Sequence, residues 1–212
     1  MRGLFLTGTD TGVGKTVTAA ALLHRLRAVR PTRYWKPIQT GIEQDDDTAT
    51  VLRLTGCDSR AVLDEGVRLA HPLSPHLSAR LCGVRITVDQ VVDMGAAELE
   101  RGDWVVEGAG GLLVPLNEQE LMADLMARLA LPTLVVARST LGTINHTLLT
   151  LEALRARSLP IAGVVMVGRN LENRQAIEDY GHVRVSELPL LTPLTPATLQ
   201  EAAAAFDAGA LL

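Results

Sequence analysis

Lys15 and Thr16 stand directly behind Gly12-Val13-Gly14 and ahead of a helix-like run from Val17, a spacing suited to holding phosphate. The short apolar run Leu4-Phe5-Leu6 precedes them, so the loop Gly8 to Thr16 joins a strand to a helix. In such a junction successive backbone N–H groups point into the loop, and the helix N-terminus adds partial positive charge. Gly12 and Gly14 permit close approaches that a side chain would block. Lys15 has the reach for terminal phosphates, and the Thr16 hydroxyl is of the type that ligates Mg2+. One feature is irregular. The strict phosphate-loop pattern places glycine where this chain has Thr9, and counted from Gly8 the loop is one residue too long. A merely connecting turn would have no need of Lys and Thr at the two places where phosphate and metal require them.

Further groups suited to the same chemistry follow along the chain. Tyr34-Trp35 reads as a second strand, and Lys36-Pro37 at its end falls on the same rim as the loop, because parallel strands share a direction. Asp45, Asp46 and Asp47 precede a helical run from Thr48 to Leu54; helix capping accounts for carboxylates there as well as metal binding does. Trp104-Val105-Val106-Glu107 is a buried-strand pattern ending in a carboxylate and the turn Gly108-Ala109-Gly110-Gly111, where an acidic residue meets Mg2+ across a phosphate loop. Ser139 to His146 opens a long helix whose first N–H groups could bind a carboxylate or be capped by Thr143. His71 and His76 lie in a proline-punctuated loop without a Cys or carboxylate partner in sequence, and solvation is the simpler reading.

The elements needed to hold these residues alternate. Strands are expected at Leu4–Leu6, a continuous apolar run as if buried on both faces, at Thr133–Ala137, with little polar content, at Ile161–Val167, and a short one at Val183–Val185. Helices are expected over Thr16–Val29, ended by Pro31, and over Thr87–Arg101, with Val88, Val91, Val92, Met94 and Leu99 inward. Others are expected over Glu120–Leu129, from Ser139 to near Arg157, within Arg169–Gly181, and from Thr195 or Thr198 to Phe206, with Leu188–Leu191 a loop. Between Gly56 and about Arg85 only Leu77–Leu81 reads as helical. The alternation predicts an α/β fold, a single doubly wound, mostly parallel sheet with helices on both faces, in one domain over residues 1–212.

The chain carries a net charge of −4 and only 3% aromatic residues, which leaves neither a basic surface nor a stacking platform for nucleic acid. Cys57 and Cys82 fit no metal spacing and read as reduced thiols. Met1-Arg2-Gly3 leads straight into the first strand, and no apolar run approaches the ~18 residues of a membrane span. The expectation is a cytoplasmic protein with no targeting peptide and no membrane association.

Taken in order, Gly8 to Thr16, Lys36-Pro37-Ile38-Gln39-Thr40-Gly41, Asp47, Ser74-Pro75-His76, Val106 to Gly111 and Leu141-Gly142-Thr143-Ile144-Asn145-His146 resemble the dethiobiotin synthetases, a family of the phosphate-loop NTPase superfamily that acts in biotin biosynthesis. The resemblance runs from Thr7 to about Val167 and more weakly to Leu191. It implies a reaction in which 7,8-diaminononanoate, CO2 and ATP give dethiobiotin, ADP and phosphate. One amine captures CO2 as a carbamate, the carbamate oxygen attacks the γ-phosphate, and the second amine closes the ureido ring and expels phosphate. By the resemblance, Lys15, Lys36 and Thr11 are catalytic, and Thr40 and Lys36 lie near the carbamate. The nucleotide would be held by Gly12, Val13, Gly14, Lys15, Thr16 and Val17, and on its base side by Gly168, Pro189, Leu190 and Leu191. Mg2+ would be held by Thr16, Asp47 and Glu107, with Asp46 an open alternative to Asp47. The helix start at Leu141, Gly142 and Asn145 would bind the substrate carboxylate in the partner subunit's site, which implies a homodimer with its active sites at the interface.

The family pattern is departed from at one place. Many relatives carry Asn-Asp where this chain has Val167-Gly168, at the end of the strand 161–167. The change removes side chains able to read the exocyclic amine of adenine, and the expectation is a relaxed base preference. No residue stands out as proton acceptor for the two ammonium groups. Among rival readings, a partitioning or maturation ATPase typically carries a second lysine early in the loop, where Asp10 stands here. A regulatory GTPase needs an Asn-Lys-x-Asp motif, which is absent, and an inactive domain is at odds with intact Lys15, Thr16, Lys36, Asp47 and Glu107.

Overall fold

β1 (Arg2–Gly8) turns Leu4 and Leu6 to one face and Phe5 to the other, and all three are buried. A strand with apolar side chains on both faces is one covered by helices on both sides. In the computed structural model, which describes residues 2–205, β1 is the middle strand of a seven-stranded parallel sheet. Its other strands are β2 (Thr32–Trp35), β4 (Val62–Leu63), β6 (Asp103–Gly111), β7 (Thr133–Arg138), β8 (Ile161–Val167) and β9 (Val185–Leu188), in the order β4-β2-β6-β1-β7-β8-β9. The face carrying Leu4 and Leu6 packs against α1 (Lys15–Arg27), α2 (Asp47–Thr55) and α8 (Pro196–Ala205). The Phe5 face packs against α4 (Val88–Leu99), α5 (Met122–Leu129), α6 (Thr143–Ala156) and α7 (Leu171–Gly181). The expected doubly wound architecture is therefore present.

Several expectations need correction. The sheet is accompanied by a second, two-stranded parallel one, formed by β3 (Ile38–Thr40) and β5 (Val67–Leu69), with α3 (Pro75–Leu81) packed beside it. The last strand is displaced from 183–185 to β9, so that only Pro189 onward is loop. In α4 Val88, Val91 and Leu99 are buried as expected, and one position differs. Met94 is exposed, while Gly95 is buried so closely that a Cβ there would lie 3.0 Å from the Trp35 ring. α1 stops at Arg27, ahead of Pro31, and α6 begins only at Thr143. Met1 and the expected helix end at Phe206 lie outside the described residues.

From β1 the chain steps over the position of β6 to reach β2, and from β6 it later crosses to β7 on the other side of β1. The carboxyl ends of β1, β2 and β6 thus border the crevice where the winding reverses, the usual ligand position in such sheets. The opposite rim is fixed by charge. Buried Asp103 at the start of β6 meets Arg2 at 3.1 Å and Arg30 at 2.8 Å, tying the start of β1 to the turn before β2. Asp103→Ala strands two half-satisfied guanidinium groups. Because both arginines reach solvent, the expected loss is about 2 kcal/mol, below the range for a fully buried pair. Urea denaturation should show a lower midpoint at unchanged slope, and an unchanged midpoint would remove this brace from the account.

Candidate nucleotide-binding site

Strand alternation assembles the site. In β2 and the residue after it, Tyr34 and Lys36 share a face and Trp35 takes the other; in β6, Val105 and Glu107 share a face and Val106 takes the other. Tyr34 lies opposite Val105 in register, so the pairs Tyr34/Lys36 and Val105/Glu107 run side by side beneath α1 and α2. The starts of those two helices bring Thr16 and Asp47 down onto the same spot. Lys36 Nζ lies 2.6 Å from Asp47 Oδ2 and 2.9 Å from Glu107 Oε1, and the Thr16 hydroxyl lies 2.6 Å from Asp47 Oδ1 and 3.1 Å from Glu107 Oε1. Lys36 also donates to the Gly108 carbonyl. Lys36 is 3% exposed and Glu107 1%.

The three consecutive aspartates divide their work. Asp46 caps α2, its carboxylate accepting from the Ala49 N–H, whereas Asp47 is the first residue of the helix and turns toward Thr16 and Lys36. Asp45 contributes its backbone carbonyl to the Gln39 amide. Capping and site chemistry are both present, on neighbouring residues.

The phosphate loop explains its own irregularity. Thr9 is not among the described residues with positive φ, so glycine is not needed there. The requirement has moved to Gly8, where a Cβ would lie 2.6 Å from the Asp10 carbonyl oxygen and 2.9 Å from Lys15 Nζ. Gly12 and Gly14, at φ 69° and 97°, take the left-handed conformations. The Asp10 carboxylate accepts from the Thr11 N–H and pairs with Arg138 at the end of β7, while the Asp10 carbonyl accepts from Lys15 Nζ. Val13 turns its side chain into the core, leaving only its backbone for a ligand.

A cavity of about 750 Å³ opens over this cluster, lined among others by Thr11, Gly12, Gly14, Lys15, Thr16, Val17, Lys36, Thr40, Asp47 and Glu107. Most of the expected phosphate-side residues therefore converge, together with Lys36 and Thr40 of the expected substrate side. Ser74 and Pro75 line it too, but His71 and His76 do not. Gly168, Pro189, Leu190 and Leu191 are not among its lining residues. Gly168 instead packs against Ser139, where a Cβ would come within 2.1 Å of the hydroxyl oxygen, and Leu190 stands exposed nearby. Leu141, Gly142 and Asn145 also lie away from the cavity, with Leu141 fully exposed. The alternative of a Thr143 cap is excluded, since that hydroxyl donates to the Arg138 carbonyl at 2.5 Å and no side chain caps α6. Tyr34 is the contributor that the sequence reading passed over. Its phenol donates to Glu107 Oε2 at 2.9 Å, and its place two residues before Lys36 was the available signal.

The charges are unevenly matched. Burial works against the Lys36 ammonium, but Glu107 and then Asp47 outweigh it and raise its pKa above the ordinary value. Lys15 is pushed the other way, by burial first and then by the neighbouring Lys36, against the pull of Glu107, Asp47 and Asp10. For Asp47, burial alone would raise the carboxyl, and Lys36 with the Thr16 hydroxyl brings it below the ordinary range. Among the described residues no three His, Cys, Asp or Glu side chains gather as a metal site. Thr16, Asp47 and Glu107 nevertheless bring hard oxygens together in the cavity wall. Such a set suits Mg2+, which takes few protein ligands and completes its shell with phosphate and water.

A depressed Asp47 contributes stability that is fully present above its unfolded value and is lost as pH falls through its folded one. Asp47→Asn should therefore be less stable than the parent at neutral pH, and the difference should shrink as pH drops below the ordinary aspartate value of 3.8. Denaturation midpoints across an acid series measure this, and a pH-independent gap would assign the loss to packing.

Comparison with known proteins agrees with this architecture. Residues 2–198 match the family described as AAA domain. The ATP-dependent dethiobiotin synthetase BioD of Agrobacterium fabrum is 49% identical across 93% of this chain and 90% of its own length. The protein of that name from Brucella melitensis is 49% identical across 92% and 90%. Solved structures share the fold alone. A ParA family ATPase from Chlorobium tepidum superposes with a TM-score of 0.58 at 10% identity, covering 96% of this chain and 90% of that one. The septum site-determining protein MinD with Mg-ADP, from Pyrococcus horikoshii, gives 0.55 at 14%, covering 95% and 86%. None of the helices among the described residues is long and apolar enough to cross a membrane. With identity at this level along nearly the whole of both chains, the chain belongs to the ATP-dependent dethiobiotin synthetase family.

Proposed function

We propose that the chain carboxylates 7,8-diaminononanoate with CO2, phosphorylates the carbamate from ATP and closes the ureido ring, releasing dethiobiotin, ADP and phosphate. The observation that carries this reading is the convergence, in one cavity, of the phosphate loop with Lys36, Asp47, Glu107 and the two hydroxyls of Thr11 and Thr40. The loop N–H groups and Lys15 bind the triphosphate. Lys15 is short of negative charge where it stands, so an anion at the loop relieves it. Thr16, Asp47 and Glu107 would hold Mg2+, which supplies neutralisation of phosphate charge and fixes the phosphates for transfer. Lys36 is anchored from the cavity floor and presents a cation to the side from which the carbamate approaches, with the Thr40 hydroxyl beside it. Phosphoryl transfer needs little more from a protein than such placement of charge.

The active unit is a homodimer of single-domain, cytoplasmic chains, in which the turn Leu141–Asn145 completes the partner's site by holding the substrate carboxylate. The exposure of Leu141 and the uncapped start of α6 support that assignment. On the base side, Val167-Gly168 leaves backbone groups and the Pro189-Leu190-Leu191 loop to meet the nucleobase, with Ser139 too close for a side chain at 168.

Purified protein supplied with the diamine, bicarbonate, Mg2+ and ATP should form dethiobiotin, detected by mass; ATP turnover indifferent to the diamine would sink the assignment. Lys36→Ala should retain nucleotide affinity while kcat falls by about two orders of magnitude, or ~3 kcal/mol of transition-state stabilisation. A normal kcat would take Lys36 out of the chemistry. For the base, kcat/KM with CTP or GTP should be comparable to that with ATP, and a preference for ATP above about a hundredfold, ~2.7 kcal/mol, would reject relaxed selection.

A further inference from the structure

We propose that Tyr34 is a positioning residue for the carboxylate of Glu107, setting which of its oxygens faces the metal and phosphates. This rests on the reading of Glu107 as a Mg2+ ligand. The two oxygens of Glu107 have different partners. Oε1 receives Lys36 Nζ at 2.9 Å and the Thr16 hydroxyl at 3.1 Å, and so faces the side of the site where the phosphate loop runs into α1. Oε2 receives the Tyr34 phenol at 2.9 Å from beneath, within the core.

Tyr34 has no exposed surface, and its ring is packed in the apolar layer between the sheet and α1 and α2. A buried ring in that layer could as well be phenylalanine for packing alone. The hydroxyl adds a fixed donor at a depth where a carboxylate oxygen would otherwise lack a partner, and buried polar atoms left that way are costly. A phenol held at both ends, by the strand on one side and by Oε2 on the other, restrains rotation of the carboxylate about its last bond. Residues that orient a ligating carboxylate in this way typically change metal affinity by 10- to 100-fold when removed.

Tyr34→Phe keeps the ring and removes the donor. Mn2+ as the probe metal, titrated by EPR into the protein with a non-hydrolysable ATP analogue, should bind about tenfold more weakly to this variant. Affinity for the analogue without metal should stay within about twofold, the margin of a conservative change remote from the nucleotide. Unchanged Mn2+ affinity overturns the proposal. Glu107→Gln separates the two levels. Weak Mn2+ binding in Glu107→Gln with normal binding in Tyr34→Phe rejects Tyr34 alone, whereas normal binding in both removes the underlying role of Glu107.

A second readout does not depend on the phenylalanine variant folding. The chain has two tyrosines, and Tyr180 on α7 is exposed. In 3-fluorotyrosine-labelled Tyr180→Phe protein the single 19F line reports position 34. It should shift when Mg2+ is added to the analogue complex, and a line indifferent to the metal counts against the coupling.

Discussion

An ammonium group removed from water must be met by negative charge, and the burial of Lys36 imposes that condition on the whole site. Asp47 and Glu107 meet it from two directions, one from the start of α2 and one from the end of β6. The condition can be satisfied only if β2 and β6 are neighbours and if α1 and α2 begin on the same rim, which the strand order and the joint core of those helices provide. Two carboxylates against one buried lysine leave this cluster with an excess of negative charge. In the wall of the same cavity Lys15 has the opposite deficit, its ammonium donating to the neutral Asp10 carbonyl at 3.2 Å. A metal–phosphate pair has the complementary pattern, cation toward the carboxylates and anion toward the loop. The electrostatics of the cavity are thus those of a receptor for such a pair.

Proteins at 10–14% identity share the fold with this chain. In this chain the segment after β2 brings Lys36, Thr40 and Asp47 to one cavity. A fold supplies a rim of strand ends and helix N-termini; the chemistry depends on which side chains are set there.

How much of this was legible in the sequence follows from how local each signal is. β1, β7 and β8 are apolar on both faces and could be read directly, because burial on both sides writes an unbroken run. β4 and β5 could not, being two and three residues long. Their position is fixed by distant partners: β4 pairs with β2 and β5 with β3, and the Arg68 guanidinium of β5 donates to the Lys36 carbonyl. In α4 the misplaced residue is Met94, apolar but off the inward stripe; the stripe through Val88, Val91 and Leu99 passes through Gly95, where the Trp35 ring leaves no room for a side chain. The three aspartates were ambiguous because a cap and a metal ligand have the same residue type beside a helix start. Only the direction in which the chain enters α2 separates Asp46 from Asp47.

The lengthened loop follows from the same balance of charge. Its extra residue produces the turn at Asp10, whose side chain fastens to the Thr11 N–H and to Arg138 and whose carbonyl reaches Lys15. Glycine moves to position 8 because that carbonyl and the Lys15 ammonium together occupy the space of a side chain. The lysine is therefore held in place by a neutral acceptor and a long hydrogen bond, while burial and Lys36 both weaken its hold on its proton. A phosphate oxygen is an ionised acceptor, and charge-assisted bonds of that kind are roughly twice as strong as neutral ones. With a nucleotide held as proposed, exchange of the carbonyl for a phosphate oxygen would strengthen the bond that Lys15 makes. On the proposed reading, the departure from the strict pattern keeps Lys15 oriented while leaving its strongest interaction to the nucleotide.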